Sequence, residues 1–207
     1  MVIGITGGIA TGKSQVTGLF ASKGATTFSA DEAARAVLNK NGPALQEIAQ
    51  AFGSDTLRPD GQLNRAALAR VVFQDPKARE TLNRIMHPPI RRLLRDQIEA
   101  AQDDLPPGSV IAVEIPLLFE NNLQAWFERI VVVTTSETVQ IARLRARDGL
   151  SEVEARKRLA AQWPLAEKVA RADDVIVNEG TQEDLAQAVD ALWKRLQTTA
   201  IPRISAR

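Results

Sequence analysis

The segment Gly7-Gly8-Ile9-Ala10-Thr11-Gly12-Lys13-Ser14 decides the fold of this chain. A glycine, four further residues and then Gly-Lys-Ser is the P-loop pattern, whose backbone N–H groups surround the phosphates of a nucleotide. Before it, residues 2–6 form a short apolar, β-branched run that predicts a buried strand. After it, residues 15–23 have apolar side chains at helical spacing. This order of strand, loop and helix favours a triphosphate site over a chance match in which Gly7 and Gly8 form an ordinary turn.

Two side chains of the loop have distinct chemical tasks. Lys13 is expected to reach the outer phosphates as a point charge, and the Ser14 hydroxyl is expected to ligate a Mg²⁺ ion that bridges two phosphates. The predicted nucleotide-binding residues of this segment are Gly8, Ile9, Ala10, Thr11, Gly12, Lys13, Ser14 and Gln15.

The composition limits the class of protein, the kinds of site and the partners that we expect for this chain. The 207 residues are 44% hydrophobic and 25% charged, which is ordinary for a globular protein. The absence of cysteine excludes disulfides, thiolate metal sites and cysteine nucleophiles. A net charge of +1 gives no reason to expect a nucleic-acid partner, and no apolar run reaches membrane-spanning length. No signal peptide is visible before the first strand. We therefore expect a cytoplasmic protein without a nucleic-acid or membrane partner, either a monomer or a weak homo-oligomer.

Four further segments of the sequence read as strands. They share β-branched or apolar residues bounded by turn signals, and they are residues 25–29, 110–115, 129–135 and 174–178. Helical patterns separate most of them, which is typical of parallel pairing. The predicted fold is α/β, a five-stranded parallel sheet around the P-loop, with a helical insertion and a helical lid.

The domain organisation follows from the same patterns. We predict one domain over residues 1–207, with its core in 1–40, 108–142 and 172–207. Residues 41–107 lack a convincing strand and are rich in arginine, which suits an insertion that binds an anionic acceptor. Residues 143–171 carry arginines on two helices joined by a tight turn, with a capping box at Ser151 and Glu154. Such a segment could close over a triphosphate as a lid, or it could be a helical hairpin held by ion pairs.

Two acids and one histidine stand at informative positions. Asp31 follows the second strand, where it could be a general base or the N-cap of the next helix. Glu114 near the end of the third strand could help to hold Mg²⁺ through a water. His87 is the only histidine, and because it precedes Pro88 we expect it at a helix end.

Several segments of the sequence together match the motifs of one known family. They are Ile3 to Ile9 with Gly12-Lys13-Ser14, Ala30-Asp31-Glu32-Ala33-Ala34-Arg35, Leu63-Asn64-Arg65 with Leu68, Leu82 with His87-Pro88, Pro116-Leu117-Leu118-Phe119-Glu120, Arg143, Arg147-Asp148, Gln162, and Asp173-Asp174 with Asn178 and Gly180. In these segments the chain resembles the dephospho-coenzyme A kinase family over nearly its whole length, which implies a P-loop kinase core with a helical substrate-binding insertion and a helical lid. The sequence departs from the pattern of this family at two places. Ser29 replaces the first acid of an Asp-Ala-Asp triplet, and Ala10-Thr11 replaces Gly-Ser, so Ala10 must avoid positive φ or accept strain.

The resemblance implies ATP- and Mg²⁺-dependent phosphorylation of the ribose 3′-hydroxyl of dephospho-CoA, the last step of coenzyme A synthesis. By this resemblance Asp31 would accept the proton of that hydroxyl, and Arg147 would stabilise the transferring phosphoryl group. Arg143 would contact ATP, and Asn178 and Gly180 would border the adenine. The residues that would face the acceptor are Asp31, Arg65, His87, Leu117, Phe119 and Glu120.

Two other functions share parts of this pattern. A nucleoside monophosphate kinase would have the same P-loop and lid but a different insertion. A nucleotide-hydrolysing switch would need no acceptor, and a GTPase switch should show an Asn-Lys-x-Asp guanine reader, which this sequence lacks.

Overall fold

The computed structural model describes residues 1–39 and 42–200, without the side chains of residues 73, 74, 199 and 200. Its described part contains the predicted parallel sheet of five strands, in the order β2-β3-β1-β4-β5. The strands are Val2–Gly7 (β1), Thr26–Ser29 (β2), Ile111–Glu114 (β3), Arg129–Thr134 (β4) and Asp174–Val177 (β5). The predicted fold class is confirmed.

Helices connect these strands. In chain order they are Lys13–Ser22 (α1), Ala30–Val37 (α2), Pro43–Phe52 (α3), Arg65–Gln74 (α4), Pro76–Asp104 (α5), Glu137–Asp148 (α6), Glu152–Ala160 (α7), Leu165–Val169 (α8) and Gln182–Ala200 (α9). The predicted capping box of α7 is confirmed, with the side chains of Ser151 and Glu154 each bonded to the other's backbone N–H. The tail beyond α9, residues 201–207, lies outside the described residues.

The central strand β1 positions the P-loop. It is buried throughout and pairs in parallel with β3 on one side and β4 on the other. Its apolar side chains share a core with α1 and with one face of α9. That face comprises Leu185, Val189, Leu192 and Leu196. The loop that follows β1 therefore begins between the carboxyl ends of β3 and β4, the strands that flank β1. Open α/β sheets bind ligands at this edge.

The chain divides into two compact units. The first comprises Met1–Phe28 and the described residues from Ala101 onward, and the second comprises Ser29–Ala100. The second unit is helical, and its core contains Ala44, Ile48, Leu68 and Met86. Residues 40 and 41, where the predicted insertion begins, lie outside the described residues, so the predicted division into core, insertion and lid stays a prediction. Among the described residues no helix is long and apolar enough to cross a membrane.

The prediction that His87 ends a helix is wrong. α5 is 29 residues long, and Pro88 and Pro89 lie inside it. Each proline removes a helical hydrogen bond and crowds the preceding turn, at a cost of roughly 3 kcal/mol. The buried side chains of Met86, Leu94 and Ile98 lie on both sides of this interruption and give the helix an apolar face that offsets the cost.

The environment of His87 predicts a pH dependence of stability. Burial, and then the positive charge of Arg91, lower the pKa of His87 below its ordinary value of 6.5. As the pH falls below 6.5, His87 takes up a proton more readily in the unfolded chain than in the folded chain. The contribution of neutral His87 to the free energy of unfolding is therefore present above pH 6.5 and is lost as the pH falls through its lowered pKa. Urea unfolding of the wild type and His87→Asn at about pH 7.5 and about pH 5.5 measures this. The variant should gain stability relative to the wild type at the lower pH, and an equal difference at both values would contradict the prediction.

Candidate active site

The P-loop turns sharply between β1 and α1. Gly12 has φ +95°, and a Cβ at this position would lie 2.1 Å from Asn178 Nδ2. Only glycine fits here, because a side chain would be strained and would collide with the asparagine. Lys13 is buried, and its ammonium donates to the Gly8 carbonyl at 2.8 Å. The structure thus brings the predicted phosphate-binding lysine against the glycines of the loop.

Ser14 and Glu114 meet at the start of α1. The Ser14 hydroxyl donates to Glu114 Oε1 at 2.9 Å, although the residues lie 100 positions apart. Glu114 is buried at the end of β3, beside β1. A hydroxyl and a carboxylate side by side are the hard oxygen donors that Mg²⁺ prefers, so this pair fits the predicted ion. Ser14 could ligate it directly and Glu114 through a water, as the sequence predicted.

Asn178 fastens the loop from the end of β5. Its buried side-chain amide donates to the Thr11 carbonyl at 2.8 Å and to Gln15 Oε1 at 3.4 Å. Its own carbonyl accepts from Arg143 Nη2 at 3.1 Å. Gly180 lies against Asp184, near the start of α9, where a Cβ would approach Asp184 Oδ2 to 2.5 Å. The adenine contacts of Asn178 and Gly180 stay predictions, and holding the P-loop is a contact of Asn178 that the sequence did not predict.

Arg143 makes a second connection to the loop, from α6. Besides Asn178, its guanidinium donates to the carbonyls of Ala10 and Thr11 at 3.3 and 3.4 Å. Arg143 also lines a cavity of about 610 Å³ next to the P-loop. The residues around this cavity are Ala10, Gly12, Lys13, Ser14, Gln15, Arg143, Ala146 and Arg147. The cavity therefore joins the P-loop to both arginines that were predicted to meet ATP.

Arg147 is held by its neighbour in the chain. Its Nε and Nη2 donate to the two carboxylate oxygens of Asp148 at 2.8 and 3.0 Å. Arg158 of α7 donates to the same carboxylate at 2.7 Å. The hydrogen bond from Arg147 is the main reason why the pKa of Asp148 lies below its usual value. This arrangement holds one edge of the Arg147 guanidinium and ties it to α7.

Two glutamines contact the loop at Ile9. Gln140 of α6 donates from Nε2 to the Ile9 carbonyl at 2.7 Å, and Gln162 accepts from the Ile9 N–H at 2.8 Å. Sequence reasoning missed Gln140 entirely and named Gln162 only as part of the family resemblance. The next residue, Ala10, has φ 60°, so the strained alternative foreseen for Ala10 is the one observed.

The segment between α7 and β5 packs on the loop after β3. The Trp163 ring stacks on Phe119 with a centroid separation of 6.4 Å, and the Arg171 guanidinium lies 5.3 Å from the same ring. Lys168 is fully buried, and its ammonium pairs with Glu120 Oε1 at 2.6 Å. Phe119 is buried, whereas Leu117 is exposed. Glu120 Oε2 is buried without a hydrogen-bond partner among the described residues.

The other predicted acceptor residues lie in the helical unit. Asp31 is the second residue of α2 and is exposed. The N-cap of α2 is Ser29, so the alternative in which Asp31 caps the helix is wrong. Arg65 begins α4, and His87 lies within α5. Their roles toward an acceptor stay predictions.

Comparisons with known proteins agree on one family. A dephospho-CoA kinase family model matches residues 1–184. The chain belongs to the dephospho-CoA kinase family. The dephospho-CoA kinase of Anaeromyxobacter dehalogenans is 47% identical over 199 residues, 95% of this chain and 92% of the relative. That of Geobacillus kaustophilus is 41% identical over 195 residues, 94% and 96% of the two chains.

Solved structures of similar proteins extend the family likeness to three dimensions. A protein from Thermus thermophilus has a TM-score of 0.79 and 36% identity, covering 95% of this kinase and 97% of its own chain. The dephospho-CoA kinase from Campylobacter jejuni has a TM-score of 0.72 and 28% identity, with coverage of 97% and 98%.

The contact between Gly12 and Asn178 predicts the effect of adding one methyl group to the kinase. Gly12→Ala should weaken ADP binding more than about tenfold, because the positive φ and the collision with Asn178 both distort the loop. Isothermal titration calorimetry measures the affinity. Gly18→Ala is the matched control, since Gly18 is a helical glycine and its added Cβ would meet no atom within 4 Å beyond its chain neighbours and its own helix backbone. This control should keep the affinity and gain up to about 1 kcal/mol of stability. Equal affinities for both variants would contradict the prediction.

The buried ion pair of Lys168 and Glu120 predicts how removing the lysine changes the stability of the kinase. Lys168→Met should lower the free energy of unfolding by about 3 kcal/mol, because Glu120 would keep a largely buried charge without its cation. Adding Glu120→Gln to that variant should restore much of the loss. Chemical denaturation gives the comparison, with Lys157→Met on the exposed face of α7 as a control expected within about 0.5 kcal/mol of the wild type. A Lys168→Met variant as stable as this control would refute the claim.

Proposed function

We propose that this kinase transfers the γ-phosphoryl group of ATP to the ribose 3′-hydroxyl of dephospho-CoA, giving coenzyme A and ADP in the last step of coenzyme A synthesis. The observation that carries the proposal is an intact P-loop, with Lys13 against Gly8 and Ser14 against Glu114, in a chain whose family match spans residues 1–184. The Mg²⁺ requirement and a cytoplasmic location are parts of the same proposal.

Binding of the triphosphate is the task of the P-loop and its neighbours. The loop N–H groups, the N-terminal end of α1 and the Lys13 ammonium would hold the outer phosphates. Mg²⁺, held by Ser14 and through a water by Glu114, would neutralise charge on the phosphate oxygens when bound. Arg143 would contact the nucleotide from α6, and Asn178 with Gly180 would border its adenine.

Phosphoryl transfer needs a nucleophile in line and charge stabilisation around the transferred group. Asp31 would orient the acceptor hydroxyl and accept its proton as the new P–O bond forms and the bond to ADP breaks. Arg147 would stabilise the negative charge on the equatorial oxygens of the transferring group. Asp148 accepts hydrogen bonds from Nε and Nη2 of Arg147, so Nη1 is the nitrogen that would donate to the phosphate.

Recognition of dephospho-CoA is assigned to the side chains that the family resemblance implies. They are Arg65, His87, Leu117, Phe119 and Glu120. Phe119 would act mainly through its stack with Trp163, since it is buried.

A coupled assay of ADP release tests the reaction and its base together. The wild type, Asp31→Asn and Glu32→Gln are each assayed with Mg-ATP in three ways: with dephospho-CoA, with a nucleoside monophosphate, and without an acceptor. We expect acceptor-dependent turnover in the wild type and in Glu32→Gln, which removes the adjacent exposed acid of the same helix. Asp31→Asn should lower kcat by about 10² to 10⁴, the usual contribution of a general base.

Each other outcome of this assay has a defined meaning. Full turnover in Asp31→Asn would keep the kinase and refute the role of Asp31. Activity with nucleoside monophosphates but not with dephospho-CoA would replace the proposed acceptor. ADP release without any acceptor would indicate a nucleotide-hydrolysing protein and refute the proposal.

A further inference from the structure

Two glutamine side chains hold the peptide groups on either side of Ile9. Gln162 Oε1 accepts from the Ile9 N–H at 2.8 Å, so it holds the peptide that joins Gly8 to Ile9. Gln140 Nε2 donates to the Ile9 carbonyl at 2.7 Å, so it holds the peptide that joins Ile9 to Ala10. Both contacts come from outside the P-loop, 153 and 131 positions away in the sequence.

Gln140 is a built part of this site rather than a surface contact. It is 5% exposed, on the first turns of α6. Its amide lies directly over Gly8, where a Cβ would come within 2.5 Å of Nε2. The Gly8 carbonyl is held separately, by the Thr11 hydroxyl at 2.9 Å and the Lys13 ammonium at 2.8 Å. The backbone of the loop is therefore fixed one peptide at a time.

The Gln140 contact also sets the direction of the Ala10 N–H, because the peptide that joins Ile9 to Ala10 is trans. The carbonyl and the N–H of one planar peptide point in opposite directions. Because the Ile9 carbonyl is bound by Gln140, the Ala10 N–H is directed away from the Gln140 amide. Ala10 lines the cavity that also contains Lys13 and Ser14.

This peptide orientation is achieved at a conformational cost. Ala10 has φ 60°, a region that alanine disfavours by roughly five- to thirty-fold relative to negative φ. Without an external hold, we expect the backbone at Ala10 to relax to negative φ and the Ile9–Ala10 peptide to rotate. The Arg143 contact to the Ala10 carbonyl, at 3.3 Å, is long for such a hydrogen bond and leaves Gln140 as the shorter restraint.

We propose that Gln140 is a positioning residue of the P-loop: it holds the Ile9–Ala10 peptide so that the Ala10 N–H is presented to the triphosphate. This rests on the proposed function in one respect, the use of a nucleoside triphosphate. It explains why a strained alanine occurs within the loop that binds the phosphates.

The test is a double-mutant cycle between Gln140 and Ala10. Gln140→Met keeps the size of the side chain and removes the donor, while Ala10→Gly removes the strain at positive φ. The dissociation constant of a non-hydrolysable Mg-ATP analogue is measured by calorimetry for the wild type, both single variants and the double variant. We expect Gln140→Met to weaken binding about tenfold, a typical effect of losing one buried hydrogen bond. In the Ala10→Gly background the same change should cost less than about threefold, because glycine adopts φ 60° about as readily as negative φ and has no strain for Gln140 to oppose.

Controls separate positioning from general stability. Gln182→Met, at the exposed start of α9, should leave binding at the wild-type value. Thermal unfolding reports whether Gln140→Met folds, and Gln140→Glu serves as a second variant, since an ionised carboxylate cannot donate to the Ile9 carbonyl. We expect Gln140→Glu to weaken binding at least as much as Gln140→Met.

The result that would overturn the inference is an equal penalty for Gln140→Met in the Ala10 and Ala10→Gly backgrounds, or no penalty in either. These measurements need no acceptor, so they are independent of the dephospho-CoA assay. If the wild type binds the analogue but fails to phosphorylate dephospho-CoA, the proposed acceptor is wrong while coupling between the two positions still supports the role of Gln140.

Discussion

The outward-facing carbonyls of the P-loop are bound by side chains that belong to other elements. Gln140 binds the carbonyl of Ile9, Arg143 binds those of Ala10 and Thr11, and Asn178 binds that of Thr11. Since the carbonyl and N–H of a peptide point in opposite directions, fixing these carbonyls leaves the N–H groups for phosphate. The positive φ at Ala10 and Gly12 follows from this constraint, and the rest of the site depends on it.

The order of the strands separates the two tasks of the site. β4 and β5 lie on one side of β1, and α6 with Asn178 follows from their carboxyl ends, so the residues that hold the loop come from that side. β3 lies on the other side of β1 and ends in Glu114, which meets the Ser14 hydroxyl. One side of the central strand therefore fixes the shape of the loop, and the other supplies oxygen donors for a metal ion.

Local signals in the sequence predicted most of the fold and the loop itself. The glycine spacing, the apolar strands and the pair Ser151–Glu154 each act over a few residues, so they can be read directly. His87 was misplaced because burial along α5 outweighs the local effect of Pro88 and Pro89. Gln140 was missed for another reason. Its contact with Ile9 joins positions 131 residues apart, and no periodicity or spacing in the sequence encodes such a hydrogen bond.

The most direct test of the assigned activity is the position of the transferred phosphate. The purified protein is incubated with Mg-ATP and dephospho-CoA, and the products are followed by ³¹P nuclear magnetic resonance. We predict ADP together with an equal amount of a new phosphate monoester on the ribose 3′-hydroxyl. A lengthened phosphoanhydride chain, or inorganic phosphate formed without any monoester, would contradict the assignment of this P-loop to an alcohol acceptor.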